Sequence, residues 1–117
     1  MSFPPEPRVD YRDAVGVVTL GGELDVLQAN ALRNQLLAAV RNEDLGLVLD
    51  LTDATYIDSV GVSLLFELAE RLAERQLRLA VVLPEEGLVH RVLTIVSLNS
   101  VAAVEGSVDD ALTAIGR

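Results

Sequence analysis

Leu47 to Leu51 is a near-continuous apolar run of strand length, and a few residues later the apolar spacing switches to a helical period. A strand that apolar suits a sheet covered on both faces, which parallel sheets with helical crossovers provide. The same alternation runs along the chain. Ala14 to Leu20 is apolar, β-branched and followed by Gly21 and Gly22, so it reads as a strand ending in a turn. Asp25 then stands as an N-cap before Ala29, Leu32, Leu36, Ala39 and Val40, which share one helical face until the pattern fades near Asn42 to Asp44. Leu77 to Leu83 is a further buried strand closed by Pro84. Val89, Val92, Leu93 and Val96 give a third helix, Val101 to Val104 a short last strand, and Ser107 with Asp110 a capping-box-like start to a terminal helix through Ile115. This order predicts an α/β fold: a mixed, mostly parallel sheet of four to five strands with about four helices and right-handed crossovers.

A chain of 117 residues is expected to form one domain. Met1 to Arg8 holds three of the four prolines and reads as a flexible arm, leaving 9–117 as the domain, with Val9 to Arg12 as a short edge strand. Half of the residues are apolar, which rules against disorder, and no apolar run is long enough to span a bilayer. With no apolar signal core at the N-terminus, a cytoplasmic protein is expected. Cysteine is absent, which excludes disulfides and thiolate chemistry. The formal charge of -9 disfavours direct binding to nucleic acid or insertion at an anionic membrane.

The stretch Tyr56 to Val62 carries the chemistry. Asp58 or Ser59 can cap the helix that follows, because either side-chain oxygen can accept from a free backbone N–H one turn on. At about 100° per residue, Gly61, Val62, Leu65, Phe66, Leu68, Ala69, Leu72 and Ala73 fall on a buried side. Ser59, Ser63, Glu67, Glu70 and Glu74 fall opposite, with Val60 and Leu64 also on that solvent side. An apolar pair beside an exposed serine is more than a cap requires. His90, the single histidine, lacks a nucleophile and an orienting acid in sequence, so a boundary role is expected. Asp25, Asp50, Asp53 and Asp58 can all gather at the carboxyl edge of the sheet, where α/β folds place their sites. Such acids can hold Mg²⁺, as in a response-regulator receiver. Receivers, however, carry an acidic pair directly after the first strand and a late lysine; neither is present, since all nine basic residues are arginine. No metal, nucleotide or other cofactor signature is found.

Asp58, Ser59, Val60, Gly61, Val62 resembles the Asp-Ser-Ser/Thr-Gly motif of the bacterial anti-sigma factor antagonists of the STAS superfamily. Gly22 to Asp25, Leu49 to Leu51, and the Val89 to Leu98 helix with the Val101 to Val104 strand resemble the same family, so the likeness spans roughly Val9 to Ile115. Val60 replaces a hydroxyl residue of the commoner pattern and Ser63 a second glycine. The resemblance implies a binding module and not an enzyme. Unphosphorylated, it would dock on an anti-sigma factor that is also a serine kinase and free a sigma factor; phosphorylation of Ser59 would end docking and a serine phosphatase would restore it. Asp25, Asp58 and Gly61 would support the phosphosite, with Gly61 letting the partner backbone approach. Glu23, Val60, Ser63 and Leu64 would contact the partner. The alternative is a constitutive STAS scaffold, or an accessory subunit of a signalling or membrane-transport complex.

Overall fold

The computed structural model describes residues 7–116, apart from the side chains of residues 26–28. Its main sheet has five strands: β1 (Arg8–Arg12), β2 (Val15–Thr19), β4 (Gly46–Asp50), β6 (Arg78–Val82) and β7 (Ala103–Glu105). Their spatial order is β1-β2-β4-β6-β7, with β1 antiparallel to β2 and every other pairing parallel. A separate two-stranded sheet pairs β3 (Gly22–Leu24) with β5 (Ala54–Ile57) in parallel. The helices are α1 (Val26–Ala38), α2 (Ser59–Glu74), α3 (Leu88–Ile95) and α4 (Val108–Gly116).

The near-continuous apolar strands are explained by coverage on both sides. Val18, Leu47, Leu49, Leu79 and Val81 face the core built with α1, α2 and α3. Val15, Val17, Val48, Ala80 and Val82 face a second cluster completed by Ala111 and Ile115 of α4. Alternate residues of one strand therefore serve two cores. Ser107 caps α4 as expected, its Oγ accepting from the Asp110 N–H at 3.1 Å.

The expected mixed, mostly parallel sheet is present with five strands, but β3 and β5 add a small sheet that periodicity does not announce. Gly22 was expected only to turn the chain; it turns it with a positive φ of 77° and also opens β3. The third helix is shorter than Val89 to Leu98, since α3 ends at Ile95 and Leu98 begins a separate 3-10 turn after Ser97 enters the left-handed region. Of the arm expected at Met1 to Arg8, residues 1–6 lie outside the described residues, and Arg8 belongs to β1.

Candidate functional site

The site is built where β5 hands over to α2. The Asp58 N–H donates to the Leu24 carbonyl at 3.3 Å, and Leu24 is the register partner of Ile57, so the ends of β3 and β5 are tied together. This places Asp25 and Asp58 side by side as the residues that follow the paired strands. Asp58 Oδ1 accepts from the N–H groups of Val60 at 3.0 Å and Gly61 at 2.9 Å, which makes Asp58 the N-cap of α2. Ser59 is then the first helical residue, exposed, with its hydroxyl relieved of the capping role. The Asp25 carbonyl accepts from the Ala29 N–H at 3.1 Å, in keeping with its place ahead of α1.

Gly61 has a different task from the one the sequence suggests. It is buried, and a Cβ there would overlap the Leu24 carbonyl oxygen and crowd Ile57. Glycine thus lets the first turn of α2 sit directly on the β3–β5 sheet. Its Cα side faces the Leu24 carbonyl and Ile57, and so offers no opening to a partner backbone.

Leu64 also requires correction. It is only 4% exposed and belongs to the main core, whereas Ala73, expected inside, is exposed. The buried stripe is Gly61, Leu64, Leu65, Leu68, Ala69 and Leu72. Relative to the expected arc it is rotated by roughly 50°, half a residue step. The cause is the small sheet: Gly61 presses on Leu24 and Ile57, and Leu64 lies one turn further along that face. The exposed residues are Ser59, Val60 (37%) and Ser63 on α2, and Glu23 on β3. Tyr56, whose role the sequence leaves unassigned, is 41% exposed on β5 and is the register partner of Glu23. An aromatic ring exposed next to the motif is the signal that marks it.

Of the four acids that the sequence allows to gather at the sheet edge, Asp50 and Asp58 are each turned to local partners. Asp50 Oδ1 accepts from the N–H and hydroxyl of Thr52 at 3.0 and 2.6 Å, and Asp58 is turned to its own helix. Among the described residues no group of three or more acidic or histidine side chains is placed to hold a metal ion. His90 donates from Nδ1 to the Pro84 carbonyl at 2.8 Å, a half-buried structural contact. No helix among the described residues is long and apolar enough to cross a membrane.

A family model for the STAS domain matches residues 6–111. The chain belongs to the STAS domain family. The anti-sigma-F factor antagonist RsfB of Mycobacterium tuberculosis is 27% identical to this STAS domain over 117 residues, covering 98% of this chain and 94% of that one. The crystal structure of an anti-sigma factor antagonist from Mycobacterium paratuberculosis superposes with a TM-score of 0.84 at 29% identity, over 96% of this chain and 94% of that chain. At 18% identity the Bacillus cell fate determinant SpoIIAA, in its phosphorylated form, shares the fold with a TM-score of 0.66, over 94% of this chain and 99% of that chain.

Proposed function

We propose that this STAS domain is an anti-sigma factor antagonist: unphosphorylated, it docks on an anti-sigma factor with serine kinase activity and frees a sigma factor, and phosphate on Ser59 ends the docking. The observation that carries the reading is the division of work at the start of α2, where Asp58 caps the helix and Ser59 stands exposed beside it. Names of relatives that cover nearly the whole chain support the same role. A phosphate on Ser59 brings about 1.5 to 2 negative charges. At a helix N-terminus such charge is worth about 0.3 to 1 kcal/mol of stabilisation, so the fold survives modification.

The switch therefore acts on docking. The contact surface around Ser59 is formed by Val60, Tyr56, Ser63 and Glu23, with Asp25 and Asp58 behind it. Pressing a dianion into a contact centred on Val60 and Tyr56 costs its desolvation. Each ~1.4 kcal/mol weakens binding tenfold, so two or three such units release the partner. A serine phosphatase would reset the cycle, and the module itself performs no catalysis. Such a cycle belongs in the cytoplasm, with the kinase and the sigma factor.

A pull-down with unphosphorylated protein, followed by incubation of the captured kinase with ATP, tests the reading. The expected result is one phosphate on Ser59 by mass spectrometry and at least a hundredfold weaker docking of Ser59→Asp, two decades being ~2.7 kcal/mol. Docking that ignores both ATP and Ser59→Asp would instead identify a constitutive scaffold. Phosphate found on Ser63 alone would move the switch one turn along α2.

A further inference from the structure

The first strand offers a second surface. β1 lies at the edge of the main sheet, and all five of its residues are exposed. Among the described residues β1 is paired on one side only, and the direction of its outer backbone groups follows from its neighbour. The Leu20 N–H donates to the Asp50 carbonyl at 3.0 Å and the Ala14 carbonyl accepts from the Leu45 N–H at 2.8 Å, so even-numbered residues of β2 address β4. Val15, Val17 and Thr19 therefore address β1, where their register partners are Arg12, Asp10 and Arg8. The N–H and C=O groups of Val9 and Tyr11 are left pointing out from the sheet. An open edge of this kind is a template for another strand.

Its side chains sort by face. Val9 (40% exposed) and Tyr11 (41%) lie on the α1 side, where they line a shallow groove of about 360 Å³ with Pro7, Gln35 and Ala38. Tyr11 is held rigidly there: its hydroxyl donates to the Ala39 carbonyl at 2.8 Å, and the Arg41 guanidinium stacks 3.8 Å from its ring centre. Arg8, Asp10 and Arg12 alternate in sign on the opposite face.

We propose that β1 pairs antiparallel with β1 of a second copy of this chain, about a two-fold axis at Val9. In that register Val9 faces Val9 and exchanges two hydrogen bonds, and each Tyr11 N–H donates to the Pro7 carbonyl of the other copy. Proline's missing donor costs nothing to the partner's Tyr11 N–H. On the groove side valine meets valine and each tyrosine ring meets a proline. On the other face Arg8 of each copy stands directly opposite Asp10 of the other, giving two ion pairs. The neighbouring register, centred on Asp10, sets Asp10 against Asp10 and Arg8 against Arg12, and like charges reject it. Charge also allows a register centred on Tyr11, with Asp10 opposite Arg12, but that alignment sets Val9 against Asp13, which has left the strand with φ 55°. The Val9-centred one is therefore the self-complementary alignment that uses the whole strand, as an isologous contact demands. The surface is small, so the dimer is weak and concentration-dependent.

Sedimentation equilibrium across a concentration series tests this. The average mass of the intact chain rises toward twice the monomer value as concentration increases. Asp10→Arg, which places arginine opposite Arg8, abolishes the rise while leaving the circular dichroism spectrum and melting curve unchanged. The double exchange Arg8→Asp with Asp10→Arg restores it, because the cross-strand pairs return with reversed sign; a register centred on Tyr11 would not be rescued. A monomer at every concentration up to about 1 mM, a Kd at the weak end of specific association, overturns the proposal. So does a dimer that Asp10→Arg leaves intact.

Discussion

Leu64 shows how much one side chain's direction decides. Enclosed in the main core, it makes Leu64→Ala a cavity-forming change, expected to cost about 2 to 5 kcal/mol in denaturant unfolding. Were it the partner contact that helical spacing suggests, the same substitution would leave stability almost untouched and weaken docking instead. Asp58 and Ser59, by contrast, were legible from residue types alone, because a carboxylate or hydroxyl ahead of an apolar helical pattern has few other uses. Which of the two caps was not legible. Both oxygens suit the geometry, and the choice rests on the extended backbone of Asp58, with φ -103° and ψ -177°. Val60, Ser63 and Glu23 kept the exposure expected of them, whereas Gly61 turned inward because the backbone of β3 occupies the space before it.

At the scale of elements, the inner strands β2, β4 and β6 follow from apolar runs of the right length and the helices from apolar spacing, and the two-sided burial of those strands follows from the near absence of polar residues within them. The β3–β5 sheet was hidden for a physical reason. Its strands have three and four residues, too few for alternation to emerge, and β5 buries only Ala54 and Ile57 at its two ends. Yet this small sheet seats α2 and sets its rotation. Gly61→Ala is therefore expected to displace the first turn of α2 from β3. The measurable outcome is a loss of stability of about 1 to 3 kcal/mol together with faster amide hydrogen exchange at Val60 to Ser63. A variant as stable and as protected as the parent would show that the helix start tolerates the extra methyl by a slight lift.

For the whole molecule, local charge and global stability are expected to separate. Ser59→Asp adds one negative charge to a chain already at -9, but it does so at the positive end of a helix dipole and outside either core. Its melting temperature should stay within about 5 °C of the parent, a range that corresponds to no more than ~1 kcal/mol for a domain of this size. Leu64→Ala, measured in the same calorimeter, should fall well outside that range. Because the carboxylate of Asp58 caps the helix and the hydroxyl of Ser59 does not, the two can be edited separately. Under the proposed cycle, a mark on that hydroxyl would be cleared without refolding, so that one molecule would pass through many rounds of marking and clearing before it wears out.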